Sequence, residues 1–200
     1  MKNPEWLSEE FSDLNDSDIE FDLSSISQEP YPDYDKKHIS CSFTGHRHIS
    51  AKDKAHLLPA LKSSVLYLYS LGVREFHCGG AIGFDTICAT VVYDIARTHK
   101  GIRLVLELPY PKQADGWKDE NKRFFDFLKS KADEINIHSE NPKNKAQAVD
   151  ALLLRNRIMI DKSHYCICFL KNLKGGTAYT VKYAKQKDVQ IINLADENEL

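Results

Sequence analysis

The sequence lacks the features that mark membrane, secreted and zinc-binding proteins. No run approaches the ~18–20 apolar residues of a membrane span, and the Met1 region has neither a basic leader nor a signal-length apolar stretch. We therefore expect a cytoplasmic location and no membrane partner. The five cysteines are an odd number, and Cys41, Cys166 and Cys168 lie in apolar strand-like runs, which favours buried thiols over disulfides. No second Cys or His pair stands at zinc-finger spacing, so we predict no metal site and no cofactor.

Two common nucleotide-binding motifs are also missing. The glycine run of residues 78–85 does not have the GxGxxG spacing of dinucleotide-binding proteins, and no Gly-Lys-Ser/Thr follows it. Hydride transfer with a dinucleotide and hydrolysis of a nucleoside triphosphate by a P-loop therefore lose support.

Charge is distributed unevenly along the chain. The whole sequence is 42% hydrophobic and 28% charged, with a formal net charge of -2. Residues 1–37 contain eleven acidic residues and three lysines, so they carry -8 and residues 38–200 carry +6. We interpret residues 1–37 as an acidic tail, and its low density of apolar residues predicts that it is flexible. We interpret residues 38–200 as one domain. The tail's apolar residues also allow a short docking helix that binds the basic domain or a partner.

Strand-like and helix-like patterns alternate after His38. The pattern predicts strands at 39–43, 73–77, 102–108, 135–138, 165–170 and 189–194, and helices at 51–71, 85–98, 120–131, 145–161 and 177–186. In helix 120–131 the spacing of Phe124, Phe127 and Leu128 indicates the apolar face. Such alternation is typical of an α/β fold, a Rossmann-like three-layer sandwich with a mostly parallel sheet.

Three loops with unusual composition follow the first, second and fifth predicted strands. Because ligands of open parallel sheets bind at the carboxyl ends of strands, we expect these loops to converge on one ligand site. The first contains Thr44, Gly45 and Arg47, and the third contains Gly175, Gly176 and Thr177. Glycine permits close backbone approach, and Arg47 offers a planar fork suited to phosphate.

The second loop contains Gly79, Gly80 and Gly83 and is followed by Asp85. Its amides could face an anion at a helix N-terminus, whereas Asp85 would repel phosphate and suits a ribose hydroxyl better. Arg155 and Asn156 interrupt an apolar helix and complete the predicted ligand-binding set. His46, His48 and His77 are interpreted as hydrogen-bonded structural residues rather than a catalytic or metal cluster.

Together these motifs resemble the YpsA-like branch of the SLOG superfamily. The resemblance rests on residues 43–47, 80–85, Arg155-Asn156 with Met159 and Asp161, and residues 175–177 before Tyr183-Ala184. It implies a Rossmann-like nucleotide site, and it relates the chain to DNA-processing protein A and to the cytokinin-activating phosphoribohydrolases. The catalytic glutamate of the phosphoribohydrolases has no counterpart here, because Ala178, Tyr179, Thr180 and Val181 follow Thr177.

The leading functional hypothesis is therefore binding or sensing of a nucleotide or nucleotide-derived small molecule. One alternative is a hydrolase of the N-glycosidic or phosphoribosyl bond, with Asp85 as the leading catalytic candidate. The other is single-stranded nucleic-acid binding, for which Tyr110 and Trp117 are the aromatics near the predicted site. The sequence is compatible with a homo-oligomer but does not specify one.

Overall fold

The computed structural model describes residues 34–195, and the predicted tail up to residue 33 lies outside them. A short 3₁₀ helix at Tyr34–Ile39 leads into the first strand. The strands are β1 (Ser40–Gly45), β2 (Glu75–Cys78), β3 (Arg103–Leu108), β4 (Glu134–Ile137), β5 (Tyr165–Phe169) and β6 (Gln190–Asn193). The helices are α1 (Ala51–Ser70), α2 (Phe84–Ala96), α3 (Asp119–Lys131), α4 (Lys145–Asp161) and α5 (Gly175–Gln186).

The six strands form one sheet in the order β4-β3-β2-β1-β5-β6, and every neighbouring pair is parallel. The chain builds outward from β1 to β4, crosses back over the sheet through α4, and builds outward again on the other side through β5 and β6. The switch point between the two directions therefore lies between β1 and β5, which is where open α/β sheets bind ligands.

Alternating side chains of β5 divide the core into two layers. Ile167 and Phe169 pack into the larger apolar cluster with residues of α1, α2 and α3, whereas Cys166 and Cys168 pack into a smaller cluster with residues of α4 and α5. In agreement, α1 contacts α2, α2 contacts α3, and α4 contacts α5. Helices thus cover both faces of the parallel sheet, and the predicted Rossmann-like three-layer sandwich is confirmed.

The five cysteines are buried and none is paired in a disulfide. Burial raises the pKa of the Cys166 thiol to about 12. These residues act as small apolar side chains of the core. Among residues 34–195, no helix is both long enough and apolar enough to cross a membrane.

The predicted apolar face of α3 is wrong in one respect. Phe125 and Leu128 point into the core, whereas Phe124 and Phe127 are 39% and 42% exposed. The reason is that α3 packs mainly against α2, and only Phe125 and Leu128 of this helix join the larger apolar cluster. Two aromatic rings are consequently left at the surface.

Candidate functional site

Three loops meet at the carboxyl edge of the sheet: loop A (residues 46–50) after β1, loop B (residues 79–83) after β2, and loop C (residues 170–174) after β5. His46 connects all three. Its backbone carbonyl accepts a hydrogen bond from the Phe84 amide (3.1 Å), directly after loop B, and its Nε2 accepts from the Lys171 and Asn172 amides of loop C at 3.0 and 3.4 Å. These contacts join the three loops, and their convergence on one ligand site stays a prediction.

Two glycines of loop B are required by close packing. A Cβ atom at Gly79 would overlap the Arg155 guanidinium and lie 2.6 Å from Asp85 Oδ2. Gly83 has φ +97°, a left-handed conformation that disfavours side chains, and a Cβ there would strike the Arg47 carbonyl of loop A. Loop B therefore lies directly against both loop A and α4.

Arg155 of α4 lies beneath loop B, with its side chain only 5% exposed. Its Nη1 is 3.8 Å from Asp85 Oδ2 and donates a hydrogen bond to the Glu107 backbone carbonyl at 3.2 Å. Its Nε is buried without a hydrogen-bond partner. The chain thus keeps a cation at the carboxyl edge with one donor unsatisfied, an arrangement that calls for an explanation in a native site.

Asp85, the second residue of α2, opposes that cation. Its carboxylate accepts a hydrogen bond from the Ala81 amide at 3.3 Å. Burial raises the pKa of the Asp85 carboxyl, while the charges of Arg155 and Arg47 oppose the rise. Burial likewise lowers the pKa of Arg155 against the opposing effect of Asp85. The two groups stabilise each other's charged forms in a place where water contributes little.

The other predicted residues occupy different positions around the loops. Thr44 and Gly45 end β1, and Gly80 in loop B has φ +65°. Arg47 in loop A is half-buried. Its positive charge acts on Asp85 and Tyr110, where it opposes the rise in pKa that burial causes. Whether these residues contact a ligand stays a prediction.

The N-terminus of α5 brings Gly175, Gly176 and Thr177 to the same edge. The helix begins two residues earlier than expected, so both glycines are already in its first turn, and no side chain caps it. Among the predicted residues, Asn156 is directed toward α5 rather than toward loop B. Its side-chain amide donates a hydrogen bond to Thr180 Oγ1 at 2.9 Å and so joins α4 to α5. In this structure the Asn156 side chain connects two helices.

Sequence reasoning missed Glu107. This carboxylate is fully buried on β3, where it contacts His77 Nδ1 (2.9 Å), His138 Nε2 (2.5 Å) and Lys162 Nζ (3.3 Å). Burial alone would raise its pKa, but hydrogen bonds from His138 and His77 outweigh burial and hold the pKa well below its usual range. A lone acid in the apolar run of β3 was the available signal. Its backbone carbonyl contacts Arg155, so this charged cluster supports the candidate site from below.

No group of three or more His, Cys, Asp or Glu side chains within residues 34–195 is arranged to hold a metal ion. The histidines at the carboxyl edge instead have protein partners: His46 contacts loop C, and His77 contacts Glu107. The chemistry that this edge offers is that of backbone amides, two arginines and one aspartate.

The parallel sheet and its helices on both faces define a Rossmann-like α/β protein. The profile of the YspA SLOG family matches residues 43–195, and the chain belongs to that family. Two relatives carry the name "UPF0398 protein". The one from Bacillus anthracis (strain A0248) is 27% identical over 129 residues, and the one from Bacillus thuringiensis (strain Al Hakam) is 26% identical over the same length. Each match covers 64% of this chain and 68% of the relative.

Two solved structures of DNA processing protein A share the fold. The protein from Streptococcus pneumoniae superimposes with a TM-score of 0.54 at 16% identity. The protein from Helicobacter pylori, described as having a unique single-stranded DNA binding mode, superimposes with a TM-score of 0.53 at 18% identity. Each match covers 78% of this chain, but only 50% and 64% of the respective neighbour. At this level of identity the likeness concerns the fold alone.

Proposed function

We propose that this protein binds a nucleotide or nucleotide-derived small molecule at the carboxyl edge, between loops A, B and C. The observation that carries the proposal is Arg155, a nearly buried cation with an unpartnered Nε beneath a glycine loop at the sheet's switch-point edge. A buried donor without a partner is costly, and an anionic ligand is a common reason for a native site to retain one.

The surrounding groups fit the parts of a nucleotide. Uncapped amides of Gly175 and Gly176 at the start of α5 can donate to phosphate oxygens, aided by the positive end of the helix dipole. Arg47 supplies a second positive charge, close enough to Asp85 to favour its charged form. Asp85 is an acceptor beside these groups and suits a ribose hydroxyl rather than a phosphate.

Hydrolysis is the weaker extension of this proposal. Ala178 and Tyr179 follow Thr177, so α5 offers no carboxylate for water activation in its first turn. Asp85 is the residue that would act, and its raised pKa is the observation that favours such a role. Release of free base from a bound nucleotide, abolished by Asp85→Asn, would establish it.

Single-stranded nucleic acid is the alternative ligand of the same edge. Residues 34–195 contain 26 Lys and Arg against 16 Asp and Glu, a net charge of +10. The structurally similar Helicobacter pylori protein is described as binding single-stranded DNA. Backbone binding would show a steep salt dependence, with a log–log slope of about -0.7 per phosphate neutralised. Binding of a mononucleotide within the loops requires fewer ionic contacts and so predicts a shallower slope.

The test is thermal unfolding of the full chain with mono-, di- and cyclic nucleotides and NAD derivatives. At roughly 100 times the dissociation constant, a ligand adds about 2.7 kcal/mol, or roughly 5–11 °C for a protein of this size. Arg47→Ala should abolish most of the shift. Arg97→Ala, an exposed arginine at the end of α2, should leave it intact.

Three results would count against the proposal. No stabilisation by any member of the panel would remove its basis, and equal effects of the two arginine variants would move the ligand away from loop A. Stabilisation by an oligonucleotide but by no nucleotide, with a steep salt dependence, would favour the nucleic-acid alternative.

A further inference from the structure

An apolar cavity of about 340 Å³ lies between loop B, the start of α2 and α3. We call it the aromatic groove, and its main lining residues are Ile82, Thr86, Trp117, Phe124, Phe125 and Phe127. Phe124 and Phe127 are four-tenths exposed on α3. Large aromatic side chains grouped at a surface commonly mark a binding site.

The aromatic rings of the groove are held by their neighbours. Trp117 packs edge-on against Phe125 with ring centroids 5.3 Å apart, and Tyr93 packs edge-on against Phe127 at 5.9 Å. Such contacts fix the orientation of side chains that would otherwise move freely in water. The groove is therefore formed before anything binds to it.

Positive charge borders the groove on α3. Arg123 lines it directly, and Lys131 Nζ lies 5.6 Å from the Phe127 ring centre. Lys129 Nζ lies 5.0 Å from the Phe125 ring centre and also pairs with Asp126 at 3.0 Å. Glu120 is the acidic residue in the lining. A partner that combines apolar side chains with carboxylates matches this surface.

Residues 1–33 of the same chain have that composition. They contain ten acidic residues and one lysine, a net charge of -9, against the +10 of residues 34–195. Phe11, Leu14, Ile19, Phe21 and Leu23 are distributed among the acids. This segment lies outside the residues that the structure describes, but its sequence supplies both parts of the required match.

The chain enters the fold at the amino edge of the sheet, where α3 also ends. Lys36 Nζ is 3.4 Å from Glu75 on β2, Glu75 also contacts Arg103 on β3, and Arg103 is 2.9 Å from Glu134 on β4. These ion pairs run along the amino edge toward β4, and α3 ends at Lys131 directly before that strand. Thirty-three residues span up to roughly 100 Å when extended, far more than the few strand spacings involved.

We infer that residues 1–33 bind in the aromatic groove, with apolar side chains around Phe11 and Phe21 against Phe124 and Phe127. The acidic residues between them lie near Arg123, Lys129 and Lys131. Because the groove includes Ile82 of loop B, the bound segment adjoins the candidate ligand site. The interaction is independent of the proposed ligand and does not require it.

Trp117 reports directly on this contact. The chain has two tryptophans, Trp6 and Trp117, so Trp6→Phe leaves Trp117 as the sole emitter. In that background, Phe11→Ser with Phe21→Ser should shift Trp117 emission to the red and raise its quenching by acrylamide. Hydrogen exchange of residues 119–127 should accelerate, and adding the peptide of residues 1–33 with Trp6→Phe, which contains no tryptophan, should reverse all three changes.

Two controls make the outcome decisive. Ser12→Ala with Ser17→Ala alters the same segment without removing apolar side chains and should leave Trp117 unchanged. Thermal unfolding followed by circular dichroism checks that the substitutions leave the domain folded. Identical quenching and exchange in the Phe11→Ser/Phe21→Ser variant and its Trp6→Phe parent would overturn the inference. Quenching that falls as the protein concentration rises in both of these proteins would also overturn it, because the occupant of the groove would then be a second copy.

Discussion

Replacing Glu107 by glutamine removes the negative charge from the cluster beneath Arg155 while preserving the size of the side chain. Glu107 is fully buried and faces His77, His138 and Lys162. Breaking a buried ion pair from one side costs about 3–5 kcal/mol. We expect a value near the lower end, about 3 kcal/mol, because Lys162 is partly exposed to water. Thermal unfolding at pH 7 should show a decrease of roughly 6–12 °C.

The pH dependence has a defined sign. The pKa of Glu107 is lower in the folded protein than in the unfolded chain, so its stabilisation is present above about pH 4.3, the usual pKa of glutamate, and is lost as the pH falls further. The difference between wild type and Glu107→Gln should therefore be largest near neutral pH and shrink in acid. Denaturant unfolding from pH 7 to pH 3 measures it.

Glu134 provides the matched control on the neighbouring strand. Its side chain is 43% exposed and pairs with Arg103 at 2.9 Å, a surface ion pair worth about 1 kcal/mol or less. Glu134→Gln should consequently change stability little across the same pH range. If Glu107→Gln were no more destabilising than Glu134→Gln at pH 7, the assignment of a stabilising buried cluster would be refuted.

Two further predictions concern loop B and the cysteines. Gly79→Ala should displace the Arg155 side chain and destabilise the fold by about 1–3 kcal/mol, as overpacking does. It should also weaken nucleotide binding more than Gly101→Ala, a substitution at the opposite edge of the sheet. Calorimetric titration compares the nucleotide affinities of the two variants, and equal losses of affinity would contradict the close contact between Gly79 and Arg155. All five thiols should resist a disulfide reagent in the native protein at pH 8 and react fully in denaturant. The reason is that burial excludes the reagent and disfavours the thiolate. Rapid labelling of any thiol in the native protein would contradict this expectation and show that this part of the core opens.

The order of strands and helices along the chain could be predicted because apolar runs and glycine turns are local features of the sequence. The pairing of β1 with β5 was not predicted, because right-handed crossovers are compatible with several strand orders. The sequence grouped Arg155 with Asn156, but adjacent positions on a helix point about 100° apart. Arg155 therefore meets loop B while Asn156 meets Thr180.

Other features depended on contacts that no local pattern records. Glu107 is stabilised as a buried carboxylate by hydrogen bonds with His77 and His138. These histidines are thirty or more residues away in the sequence, on the two sides of β3. The exposure of Phe124 and Phe127 depends on how α3 packs against α2, which helical spacing alone does not specify.

Ligand binding at the carboxyl edge is tested most directly by NMR of the full chain with its nine glycines labelled with ¹⁵N. The loop glycines and their immediate neighbours are Gly45, Gly79, Gly80, Gly83, Gly175 and Gly176. Gly72 and Gly101 lie at the amino edge and act as internal controls. On titration with the nucleotide that stabilises the protein most, the amide signals of the loop glycines should shift while those of Gly72 and Gly101 stay in place. Shifts of equal size at both edges, or none at loops B and C, would contradict the proposed site.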